Sequence, residues 1–147
     1  MFVRAGDWTV ALKIEKVPRF PDMDTLVPDV IAATTTLVLA DDDAEYLVQT
    51  ASRLPGSDDA HAPVTLDLNG AVVVRSKSAE QQSATDLVLR NSLKRGAELK
   101  VSVNREFLKR AVRLGFREFH LRDVASPAFC RDDRRAYVCA VLGEPSV

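Results

Sequence analysis

The stretch from residue 99 to 114, Leu-Lys-Val-Ser-Val-Asn-Arg-Glu-Phe-Leu-Lys-Arg-Ala-Val-Arg-Leu, changes its hydrophobic period midway, and few folds accept such a segment. Leu99, Val101 and Val103 alternate with Lys100 and Ser102, the period of two of a strand with one buried face. Asn104 offers a side-chain oxygen to the free N–H groups of a first helical turn. Beyond it Phe107, Leu108, Ala111, Val112 and Leu114 recur at helical spacing. The opposite face carries Glu106, Lys109, Arg110 and Arg113, with Arg105 on its flank, so three cations are expected to point away from the core.

The same pattern occurs earlier in the chain. Residues 37–39 read as a strand, Asp41, Asp42 and Asp43 as the cap, and Ala44, Leu47, Val48, Ala51 and Leu54 as one apolar helix face. Glu45-Tyr46-Leu47 is answered by Glu106-Phe107-Leu108, and each helix runs on to an Arg-Leu pair. Strand-like runs follow each helix, at 64–68, 71–75 and 86–90 in the first copy and at 118–122, 128–131 and 135–141 in the second. The pattern predicts an α+β domain of two pseudo-symmetric β-α-β-β-β units, with two helices on one face of antiparallel sheet. Two copies are too few for a solenoid.

A strand is also expected over 7–16, where Trp8, Val10, Leu12 and Ile14 alternate with polar or small residues, and it must pair with the main sheet or a neighbouring chain. Pro18, Pro21 and Pro28 make 17–29 an extended connector, 55–63 reads as a surface loop, and Asn69-Gly70 is a hairpin signal. The formal charge of −1 selects no partner, but it hides an acidic stretch over 22–59 and a basic one over 94–122. Apolar runs are too short to span a bilayer and no signal-peptide pattern follows Met1, so a cytoplasmic location without membrane contact is expected. If the Asp132-Asp133 turn sets Cys130 near Arg135, Cys139 lies roughly 13 Å along its strand at ~3.3 Å per residue. That is too far for a disulfide, and buried reduced thiols are expected.

No catalytic constellation emerges. His61 sits in a polar loop, His120 is read as an exposed strand position, and neither has a nucleophile at a catalytic spacing. Consecutive acids at a helix start, such as Asp41 to Asp43, seldom converge on a metal. No phosphate-binding glycine loop or zinc spacing is present, and no cofactor is implied.

Several segments resemble the bacterial sliding clamp, the beta subunit of DNA polymerase III. Arg19-Phe20-Pro21-Asp22, leading to Val27-Pro28, resembles the segment joining that family's middle and last domains, and Gly6-Asp7-Trp8 the strand before it. Val103-Asn104 with Phe107-Leu108 resembles the opening of the last helix. Leu121-Arg122-Asp123 with Pro127 resembles the penultimate strands, and Ala136-Tyr137-Val138 the final one. The resemblance divides the chain into the end of a middle domain (1–30), a clamp-like last domain (31–143) and a tail (144–147).

It implies a non-catalytic DNA polymerase processivity factor of DNA replication, or a piece of one, that assembles as a ring with helices inside and sheet outside. Duplex DNA would be held through its backbone and without sequence preference, with Arg105, Lys109, Arg110 and Arg113 as the DNA-facing residues. A homo-oligomer is implied. Peptide motifs of polymerases and clamp loaders would bind at Pro21, Thr25, Leu26, Pro127, Val138, Cys139, Ala140, Val141 and Leu142. Two departures stand against this pattern. The first helix is acidic where phosphate would pass, and the tail lacks the methionines that adapt such a pocket to varied peptides. The alternative is a clamp-fold interaction module that does not encircle DNA.

Overall fold

The computed structural model describes residues 2–11, 13, 32–143 and 147. Within them β1 (Phe2–Ala5) and β2 (Trp8–Ala11) form a hairpin of their own, and the rest runs β3 (Thr35–Val38), α1 (Asp41–Thr50) with a 3-10 turn (Ala51–Arg53), β4 (Pro63–Asp67), β5 (Val73–Ser76), β6 (Thr85–Val88) and β7 (Leu93–Gly96). A second series follows as β8 (Lys100–Asn104), α2 (Arg105–Arg113), β9 (Glu118–Leu121), β10 (Ala128–Arg131), β11 (Ala136–Cys139) and β12 (Val141–Gly143). The repeat anticipated from periodicity is present. Each half is one strand longer than expected, by β7 and β12.

The strands form two five-stranded antiparallel sheets, in the orders β11-β10-β9-β3-β7 and β12-β8-β4-β5-β6. Each half therefore lends the strand before its helix to the other half's sheet: β3 lies beside β9, and β8 beside β4. Alternation decides which side of each strand is buried. Leu37, Val64, Leu66, Val74, Leu87, Val101, Val103, Phe119, Leu121, Ala128 and Cys130 turn inward and meet Ala44, Leu47, Leu108, Ala111 and Val112 of the helices in one core. The two helices also contact each other, so they share one side of the molecule.

Local chemistry sets the joints. Asn69 and Gly70 make the β4–β5 connection as expected, with the Asn69 N–H donating to the Asp67 carboxylate and Gly70 at φ 93°. Gly96 ends β7 at φ 88°, where a Cβ would run into the Thr34 carbonyl oxygen, so only glycine fits. The 135–141 run, read as one strand, breaks at Ala140 and crosses from one sheet to the other.

The strand expected over 7–16 is described only in part. Its partner is β1, and Trp8 and Val10 stay exposed. Cys130 and Cys139 are free and buried. Arg131 faces Ala136 and Ala128 faces Cys139, so the cysteines are diagonal neighbours about 7–8 Å apart, closer than the sequence suggested but still too far to bridge. Burial pushes the Cys139 thiol up to about 11 and raises that of Cys130 further, so both stay protonated and unreactive.

Candidate nucleic-acid interface on the paired helices

α2 begins as its sequence predicts: the Asn104 side chain accepts the Glu106 N–H at 2.8 Å. α1 begins differently. Its N-cap is Ala40, which makes no side-chain bond, and the three acids occupy the first turn, where they suit the positive end of the helix dipole. Asp43 is turned inward, and its carboxylate accepts from the Asn91 N–H, the Ser92 N–H and the Ser92 hydroxyl at 2.7–2.8 Å. Asp41 pairs with Arg117 at 2.7 Å. These acids hold the fold together and do not converge on a common point.

Two of the four cations assigned to a DNA-facing surface are inside. Arg105 is 1% exposed. Its guanidinium donates to the carbonyls of Ala51, Leu54, Pro55, Ala62 and Pro63 and to the Ser76 hydroxyl, at 2.6–3.2 Å. This uses its planar fork on the peptide oxygens at the end of α1 and the entry to β4. Lys109 is 5% exposed, with its ammonium on the Ser52 hydroxyl at 2.5 Å and on both Glu106 oxygens at 2.8 and 3.0 Å. The expectation that it points to solvent is corrected by the neighbouring turn, which covers that flank of α2.

Arg110 and Arg113 are exposed, as is Arg53 after α1. They share the open helix surface with Asp41, Asp42, Glu45 and Glu106, so cations and acids are mixed there.

Of the expected peptide-binding residues, Pro21, Thr25 and Leu26 lie outside the described residues. Pro127 leads into β10, and Val138 stands opposite Phe129 on β11. The strand expected over 135–141 is divided at Ala140, so residues 138–141, apolar in succession, do not lie on one strand. Cys139 and Val141 pack on the core, while Ala140 and Leu142 are exposed.

His120, expected at the surface, is buried on the side of its sheet away from the core. Its Nδ1 lies 3.3 Å from the Thr36 hydroxyl and its ring 4.9 Å from that of Phe129. Burial lowers its pKa, against an opposing pull from Glu118. Alternation with the core residues Phe119 and Leu121 turns its side chain away from the core, but that side is occupied too. Among the described residues no three His, Cys, Asp or Glu side chains are placed to hold a metal, and no helix is long and apolar enough to cross a membrane.

Compared with known proteins, the chain matches no family model, and no curated protein matches it. Solved structures do. A DNA polymerase sliding clamp from Pseudomonas aeruginosa superposes with a TM-score of 0.72 at 19% identity, over 96% of this chain and 38% of that one. The DNA polymerase III beta subunit from Thermotoga maritima gives 0.69 at 16% identity, over 86% and 35%. That from Streptococcus pneumoniae gives 0.68 at 17%, over 85% and 34%. The chain thus spans little more than a third of the length of these proteins. Two antiparallel sheets with exchanged first strands and two helices on one side are the fold of a single domain of the bacterial DNA polymerase III beta sliding clamp.

Proposed function

We propose that this chain is a non-catalytic sliding-clamp component, a processivity factor for a replicative DNA polymerase or one domain of such a factor, working in the cytoplasm. The observation that carries the reading is the pairing of both helices on one side of exchanged sheets, superposed on a sliding clamp over 96% of the chain. In this reading residues 31–143 form the clamp-like domain, and α1 and α2 face duplex DNA. Arg110 and Arg113 meet phosphates through water, a contact that holds the duplex without reading its sequence. Arg105 and Lys109 serve from inside, by fixing α2 against the end of α1. Polymerase or clamp-loader peptides would dock near Pro127, Val138 and Leu142, together with Pro21, Thr25 and Leu26.

The test is retention of duplex DNA over a salt series. Wild-type retention should fall as salt rises, with a log–log slope of ~0.9 per phosphate neutralised, and R110A/R113A should flatten that slope by up to ~2. A second reading, a clamp-fold interaction module that does not hold DNA, is favoured by Asp41, Asp42, Glu45 and Glu106 on the same surface. Retention unchanged by the double substitution supports it.

A further inference from the structure

The cations on the helix side of the molecule are held in three ways. Arg105 and Lys109 are inside and engaged. Arg53, Arg110 and Arg113 are exposed and, among the described residues, make no ion pair. Arg117 stands between these cases. It lies just beyond α2 and lines, with Asp41, Glu45, Val48, Gln49 and Val112, a cleft of about 460 Å³ between the start of α1 and the end of α2.

Its guanidinium is anchored on one edge and occupied on another. Nη1 donates to the Val112 and Phe116 carbonyls at 3.1 Å, Nε donates to Asp41 Oδ1 at 2.7 Å, and Nη2 has no partner among the described residues. The carbonyl bonds fix the plane of the fork, so presenting it to an anion costs little side-chain freedom. The anion it meets is already in place: Asp41, whose side chain is 88% exposed. An exposed pair of this kind is weak by itself. Turning Arg117 to a phosphate, however, leaves the Asp41 carboxylate bare beside the same duplex, with Asp42 and Glu45 close by on α1, and that repulsion offsets the new contact.

We propose that Asp41 restrains the grip on DNA by occupying Arg117, so that the duplex meets Arg110 and Arg113 but not this third, ready-placed guanidinium. The inference rests on the DNA reading above and deepens it, by giving one acid of α1 a definite effect on that contact. Asp42 supplies the comparison, since it lies in the same turn and makes no ion pair among the described residues. Removing Asp42 lessens repulsion only, whereas removing Asp41 also frees a cation.

Duplex retention by the full chain over a salt series separates the two effects, with native circular dichroism as the check on folding. Asp41→Asn should steepen the log–log slope by ~0.9, one more phosphate, beyond any change given by Asp42→Asn. That excess should vanish in the double variant D41N/R117Q, and Arg117→Gln alone should leave the slope unchanged. Equal slopes for D41N and D42N, an excess that survives loss of Arg117, or a slope already lowered by ~0.9 in R117Q alone would each overturn the proposal. If R110A/R113A still flattens the slope, the clamp reading survives such a result. No retention by natively folded wild type or by any variant would overturn both.

Discussion

The two halves leave the strand before the helix through matching backbone bonds, two residues ahead of α1 in one and at the first residue of α2 in the other, and close these joints with opposite chemistry. The Leu39 N–H donates to the Arg117 carbonyl at 2.8 Å, and the Arg105 N–H donates to the Ala62 carbonyl at 3.1 Å, so each residue ties its helix to the neighbouring strand's entry. Leu39 buries an apolar side chain there, while Arg105 buries a guanidinium with six oxygen partners. The difference follows from what lies nearby. At the α2 joint the chain leaving α1 turns several carbonyls toward the guanidinium, Leu54 among them, and buried carbonyls need donors. At the α1 joint the corresponding cation, Arg117, sits nearer the surface, where it caps Val112 and Phe116 carbonyls and pairs with Asp41. Backbone symmetry thus leaves each half free to choose its own way of closing the joint.

Placing leucine at the Arg105 position is the sharpest way to break this comparison. Arg105→Leu imports the other half's side chain, takes the guanidinium away from five carbonyls and a hydroxyl, and should cost about 3–5 kcal/mol in urea unfolding. A loss below about 1 kcal/mol would mean the joints are interchangeable. Leu39→Ala should cost about 2–4 kcal/mol, the expected range for a buried leucine truncation. Asp43→Ala leaves three donors on the 91–92 turn unpaired and should cost about 1–3 kcal/mol, with faster amide exchange at Asn91 and Ser92.

A pH titration adds a smaller effect from the sheet that receives β3. Burial lowers the His120 pKa, so the unfolded chain binds that proton more readily than the folded one. Stability should therefore fall as pH drops below about 6.5, and His120→Asn should remove that part of the slope. Smallest is Arg117→Ala, whose exposed pair with Asp41 is worth about 0–1 kcal/mol, measured as a shift of the urea midpoint.

Periods of two and of 3.6, with Asn104 between them, were enough to read the helices and most strands from the sequence. The repeat match itself slipped: counted from the N-caps Ala40 and Asn104, Ala44 corresponds to Leu108 and Leu47 to Ala111, so aligning Glu45 with Glu106 is off by most of a turn. A shift of that size keeps the apolar stripe nearly in phase, which is why the error left the fold intact. β7 was illegible because Leu93-Lys94-Arg95-Gly96 has no alternation at all.

The site is less legible in the sequence for a related reason. A helical wheel describes one helix about its own axis and knows nothing of the Ser52 hydroxyl beside Lys109, or of the carbonyls that draw Arg105 inward. Strand alternation in turn says which side of a sheet His120 occupies but not that Phe129 and Thr36 enclose it there.

The exchange of first strands has a bearing on how the chain is made. Thr34 bonds to carbonyls at Leu121 and Arg122, 87 and 88 positions onward, and β8 finds its last neighbour in β12 near the C-terminus. During synthesis, therefore, β3 waits with one side unpaired until β9 leaves the ribosome, and contacts this far apart in sequence form slowly. The nascent first half should be an aggregation-prone fragment, and a break in translation after β7 should yield a polypeptide in need of chaperones.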